Sequence, residues 1–198
     1  MFQESARRVG YRTVLAVGAI MIVCATHSGK SDADEGKQNP AQLPAVSTAN
    51  VVPIYGITLP EGYRDWKLLS VSRLEGKLNQ LRAQFGNDIA VKAMKEGALP
   101  FPDGSVIAAA HWSYEASNAN NEVLSVLGAS SFVPGAPVNV QFMVKDSKKY
   151  AATGVWGFAD FKDGKPGNEV LHNTCFASHQ PAKAHDYVFT HYAPAPCA

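Results

Sequence analysis

Cysteine, net charge and long apolar runs are all scarce in this chain. Its 198 residues hold three cysteines, Cys24, Cys175 and Cys197, and removal of the first 25 would leave two. At most one intramolecular disulfide could then form, Cys175 with Cys197, and only in an oxidising compartment. Eighteen Lys and Arg stand against 17 Asp and Glu, a formal charge of +1. That balance argues against nucleic-acid or membrane-surface partners, which favour a basic excess. The longest N-terminal apolar stretch, Val14 to Val23, is half the length that a spanning helix needs. There is no glycine-rich phosphate loop, since Gly154 and Gly157 precede strand residues, and no nucleophile elbow. His172, His185 and His191 are not at zinc-ligand spacing, and no helix face joins them.

What is present divides the chain into three parts. Residues 1–25 read as an export signal: Arg7, Arg8 and Arg12, then the short apolar run, then compact residues at Val23, Cys24 and Ala25. The expected location is the periplasm, with no stable membrane insertion once the signal is cleaved. Residues 26–53 are Ser-, Asp-, Asn-, Gln-, Ala- and Pro-rich without an apolar period, and read as a flexible linker. Residues 54–198 are long enough to bury a core and carry no internal repeat.

Within that domain the patterning predicts strands over Lys67 to Arg73, Asn79 to Phe85, Ser105 to Glu115, Val138 to Lys145 and Gly154 to Phe161. The fourth alternates, with Val138, Val140, Phe142 and Val144 opposed to Asn139, Gln141 and Met143. Asn87 caps a predicted helix that Gly97 ends, Asp146 starts a short one through Ala152, and a third spans Asn168 to His179, with Pro181 helping to end it. Strands in series with short helices between them indicate an α+β domain, an antiparallel β-sheet with a few packed short helices.

The chemistry lies near the C-terminus. Cys175-Phe176-Ala177-Ser178-His179 has the spacing of the haem c signature Cys-x-x-Cys-His, with Ser178 where the second thiol belongs. A serine hydroxyl forms no thioether with a haem vinyl group. The blocks around this motif are Leu59-Pro60-Glu61-Gly62-Tyr63-Arg64-Asp65-Trp66, Phe101-Pro102-Asp103-Gly104, Val144-Lys145-Asp146-Ser147-Lys148-Lys149-Tyr150, Gly154-Val155-Trp156-Gly157-Phe158 and Asp186-Tyr187-Val188-Phe189-Thr190. In this order they resemble the cytochrome P-460 family, periplasmic c-type haem proteins that include the cytochromes c-prime beta.

The resemblance implies a cytochrome P-460-like fold, a haem cofactor attached through one thioether at Cys175, His179 as proximal iron ligand, and a homodimer. The implied business is with small nitrogen species, nitric oxide first, by binding or by haem-dependent oxidoreductase chemistry. Cytochromes P-460 carry a haem-linking lysine five residues after the Asp-Gly turn. Here that position is Ala109, and no lysine lies between Lys95 and Lys145, which puts hydroxylamine oxidation in doubt. His111 shares strand parity with Ala109 and so is a cofactor-binding candidate: a distal donor, a proton relay or a second ligand. The alternative for His111 is a buried strand histidine with a hydrogen-bond partner. Trp66, Trp112, Trp156, Phe158 and Phe189 are core residues, pocket walls or both. Two other readings stay open: a haem-free binding or structural domain on the same scaffold, and an electron-transfer haem protein with Met94, Met143 or His111 as sixth ligand.

Overall fold

The computed structural model describes residues 50–193. The expected signal (1–25), Cys24, nearly all of the expected linker and Cys197 lie outside the described residues.

Six strands form one sheet in chain order, each antiparallel to the next: β1 (Lys67–Leu74), β2 (Gln80–Gly86), β3 (Val106–Ala116), β4 (Phe132–Lys145), β5 (Trp156–Lys162) and β6 (Lys165–Pro166). Helix α1 (Asp88–Glu96) joins β2 to β3, α2 (Asn118–Leu124) joins β3 to β4, and α3 (Glu169–His179) follows β6. This is the α+β architecture that the patterning predicts.

Residues paired across antiparallel strands share a face. One face carries Phe85, Ala108, Phe142 and Ala159 in one row and Ala83, Ala110, Val140 and Phe161 in the next. It is closed by the segment before β1, where the Tyr63 ring packs edge-on against Phe142 at 5.2 Å. The opposite face carries Gln84, Ala109, Gln141 and Asp160 in one row, and Ile107, Met143 and Phe158 in the row beside it. Helix α3 lies against β5. Helix α1 begins where Asn87 accepts the Ala90 N–H at 3.0 Å and ends at a left-handed Gly97. Its Ala90, Val91 and Ala93 are buried where it contacts β1, β2 and β3.

Several expectations are corrected. The stretch read as a linker to residue 53 enters the core at its end, because Val52 is 1 % exposed and its N–H donates to Ile57 at 2.8 Å. β4 starts at Phe132 rather than Val138, despite Pro134 and Pro137. Only β3 pairs with that extension, since β5 reaches no further than Val140, so proline's missing N–H breaks no ladder on the free side. No α-helix follows Asp146. Its carboxylate accepts the Lys148 and Lys149 N–H groups, and left-handed Gly154 and Val155 leave room for a single 3-10 turn, Ala151–Thr153. Pro181 does stand beyond the end of α3, but it opens a 3-10 segment, Gln180–His185, rather than a loop.

Candidate functional site

Helix α3 starts where Asn168 accepts the Leu171 N–H at 3.0 Å. From there His172, Cys175, Phe176 and His179 recur at the spacings that place side chains on one face of a helix. His172 fixes the N-terminal half. It is fully buried, its Nδ1–H donates to the Asn168 carbonyl at 2.8 Å, and its Nε2 accepts the Asp160 N–H at 3.0 Å. A histidine with no ligand role thus pins the helix to β5.

His179 ends the helix. Its Nδ1–H donates to the Tyr187 carbonyl at 2.7 Å, and its ring centroid lies 5.0 Å from that of Phe158 and 5.3 Å from that of Phe189. Burial holds its pKa below the usual histidine value; the Tyr187 carbonyl acts against this and the Arg82 charge with it. With Nδ1 committed as a donor, Nε2 is left as the lone-pair atom, without a hydrogen bond to any described residue. That is the state of a histidine ready to ligate a metal, its orientation set by the bond at the other nitrogen.

The His179 side chain lines a cavity of about 150 Å³ between α3 and the sheet. Ile107, Ala109 and Met143 form its apolar floor, Cys175 and Ser178 stand beside His179, and Phe189 is at its margin. Arg82, Gln141 and Asp160 make one polar part of the lining. Asp160 is 7 % exposed, and its carboxylate accepts from the side-chain amides of Asn139 at 2.5 Å and Gln141 at 3.1 Å. Arg82 donates to Ser72 at 3.1 Å, and desolvation pushes its pKa down. Burial first, and the Asp160 charge second, push the Cys175 thiol up to about 11.

The donor set fits a haem. One imidazole nitrogen is free, a thiol sits one helical turn before it, and the floor is apolar. The volume is below the roughly 300–1,000 Å³ of sites that enclose drug-sized ligands, so a macrocycle would be only partly enclosed. Among the described residues no group of three or more His, Cys, Asp or Glu could hold a metal ion.

The structure brings Cys175 and His179 into one cavity and leaves His111 outside its lining. His111 lies on the same sheet face, paired between Arg82 and Asn139, and is 6 % exposed. Its Nδ1–H donates to Gln80 Oε1 at 2.9 Å, and its buried Nε2 has no partner. Burial first, then the Arg82 charge, push its pKa down to about 4. Of the candidate sixth ligands Met143 lines the cavity, whereas Met94 and His111 do not. His185 and His191, joined by no helix face, nevertheless have ring centroids 6.0 Å apart. Arg82 and Asp160 are lining residues that sequence reasoning missed; the signal was their parity with Ala109 across the sheet, readable only once the register is known.

Residues 60–190 match the family model described as Cytochrome P460. No curated protein matches the chain.

Proposed function

The chain belongs to the cytochrome P460 family, haem proteins that act on nitrogen species, and from that footing we propose an exported, periplasmic, mono-haem protein that binds nitric oxide. In this reading the haem is held by one thioether at Cys175 and by His179 at the iron. Reduction of the bound ligand would need electrons from a separate donor. The observation that carries the reading is the Nδ1–H bond of His179 to the Tyr187 carbonyl, which leaves Nε2 as the ligating atom on a side chain lining the cavity that also takes Cys175.

When bound, the haem supplies an iron with an open coordination position for a small ligand. The chain supplies the rest. Phe158 and Phe189 flank the His179 ring and oppose its rotation. Ile107, Ala109 and Met143 keep water from the floor. Arg82 offers N–H donors and a positive charge on the same cavity, suited to a ligand atom that gains negative charge. Ala109 lines the cavity where family members with a haem cross-link have lysine, which supports ligand binding over hydroxylamine oxidation. Export and the periplasm rest on residues 1–25; among the described residues no helix is long and apolar enough to cross a membrane.

One observation favours the haem-free reading: Ser178 stands on the cavity in place of a second thiol. Expression in cells that mature c-type cytochromes, with denatured intact mass and a visible spectrum, separates the two. The expected result is polypeptide plus one haem, a ferrous form that takes up nitric oxide, and no hydroxylamine turnover. A clean haem-free mass would overturn the proposal. Haem-loaded protein that turns over hydroxylamine would overturn the reading of Ala109.

A further inference from the structure

The nitrogen that His179 presents is decided by a backbone segment that side chains resist. After the 3-10 turn Gln180–His185 the chain passes through two consecutive left-handed residues, Asp186 (φ 54°) and Tyr187 (φ 64°). Aspartate tolerates this region, whereas a bulky aromatic rarely occupies it, so the surroundings must over-determine the conformation. What the strain delivers is the Tyr187 carbonyl, 2.7 Å from His179 Nδ1.

The restraint comes from across the fold. Both carboxylate oxygens of Asp186 accept from Lys145 Nζ, at 2.7 and 2.6 Å, and Oδ2 also accepts the Phe101 N–H at 2.8 Å. The pair is buried, with side chains 3 % and 10 % exposed, and Lys145 Nζ lies 4.8 Å from the centroid of the fully buried Trp156 ring. On the other side of the kink the Tyr187 ring lies so close to Gly154 that a Cβ there would come within 2.5 Å of it. Stability alone is a poor account of such a pair, because well-packed apolar replacements of buried ion pairs are often neutral or better. Its geometry gives a better one. It holds the end of β4, the segment before β3 and the kink after α3 in a single arrangement.

We infer that Lys145 and Asp186 are a positioning pair for His179: their ion pair locks the Asp186–Tyr187 kink, so that the Tyr187 carbonyl selects the Nδ1–H form and keeps Nε2 free as a ligand. The functional meaning rests on the proposed haem site. The tautomer itself is a property of the haem-free chain, and that is where it is tested.

The test is nitrogen NMR of the haem-free protein with isotope-labelled histidine, near neutral pH. In the double variant Lys145→Met with Asp186→Asn, asparagine keeps an acceptor for Phe101 and tolerates the left-handed region, while methionine fills the space of the lysine stem. The His179 tautomer ratio should move toward Nε2–H by roughly tenfold, the effect of losing one ordinary hydrogen bond. His172, pinned by other partners, should keep its tautomer and so reports that the fold is intact. In haem-loaded protein the reduction potential should rise, because a weaker Nδ1–H bond makes the imidazole a poorer donor. A folded double variant in which His179 remains Nδ1–H overturns the inference. Should the double variant fail to fold, Asp186→Asn alone should give a smaller shift in the same direction, and no shift there overturns it equally. Absence of haem would count against the proposed function and leave the NMR result standing.

Discussion

The backbone N–H of Asp160 donates to the imidazole of His172 at 3.0 Å, joining the middle of β5 to the first turns of α3. Both partners are buried, so neither can exchange the bond for water. Replacing His172 by leucine should cost about 2–4 kcal/mol, from the orphaned N–H and imperfect filling of the site. Glutamine, which can offer an acceptor, should recover part of that. Urea unfolding of the haem-free proteins checks both, and a leucine variant as stable as the parent would show that α3 is anchored elsewhere.

Ser178 donates to the Cys175 carbonyl at 2.7 Å and lines the cavity beside it. Ser178→Cys would complete the paired-thiol signature without moving the helix, since serine and cysteine differ little in size. Covalent haem per polypeptide, read from denatured mass, should rise severalfold. An unchanged yield would mean that loading is not limited by the missing thiol.

The Cys175 thiol, raised to about 11 by burial and then by the Asp160 charge, is a poor nucleophile at neutral pH. Compared with an unperturbed cysteine its thiolate is about a hundredfold scarcer. Iodoacetamide should therefore label Cys175 in native, haem-free protein about a hundredfold more slowly than after unfolding. It should not label Cys175 at all once a thioether is in place. Fast native labelling would show that the thiol lies open to solvent.

Stability should fall as the solution is acidified from pH 6.5 toward 4. The folded-state pKa of His111, about 4, lies below the unfolded value near 6.5, so between them the unfolded chain binds the extra proton. The depressed pKa of His179 acts in the same direction. The stabilisation is fully present above pH 6.5, and the His111 contribution has gone below about 4. His111→Gln should flatten the slope in this window, as followed by thermal melting of the haem-free protein. An unchanged slope would assign it to other groups.

Much of the site is legible in the sequence because it is local. The helix from Asn168 to His179, the spacing of Cys175 and His179, and the alternation from Val138 to Lys145 all concern neighbours along the chain. The family resemblance puts position 109 on the face toward the haem, and parity extends that face to His111. What parity cannot give is extent. His111 lies on the same sheet face as Ala109, yet the cavity covers only part of that face. Arg82 and Asp160 join the lining through the register of β2, β3, β4 and β5, a product of long-range pairing. His185 and His191 meet because the turn at Asp186 and Tyr187 folds the tail back, which no helix periodicity encodes. The prolines of β4 concealed its first residues because the free side of an edge is visible only in the assembled sheet.

Since strand order equals chain order, the ladder is finished at Pro166, before the first residue of α3. The segment from Asn168 to Thr190 thus behaves as a cartridge seated on a platform already complete. It carries Cys175, Ser178, His179 and the carbonyl that orients the imidazole, while the platform contributes the floor, Arg82 and the Lys145 anchor. Transplanting that stretch from another member of the family would exchange the attachment chemistry without altering any strand register. Altering Ile107, Ala109 or Met143 would reshape the surface beneath it and leave attachment alone. In the proposed reading, the segment that would grip the cofactor and the strands that would meet the ligand are largely separate stretches of chain, joined through the Lys145–Asp186 pair.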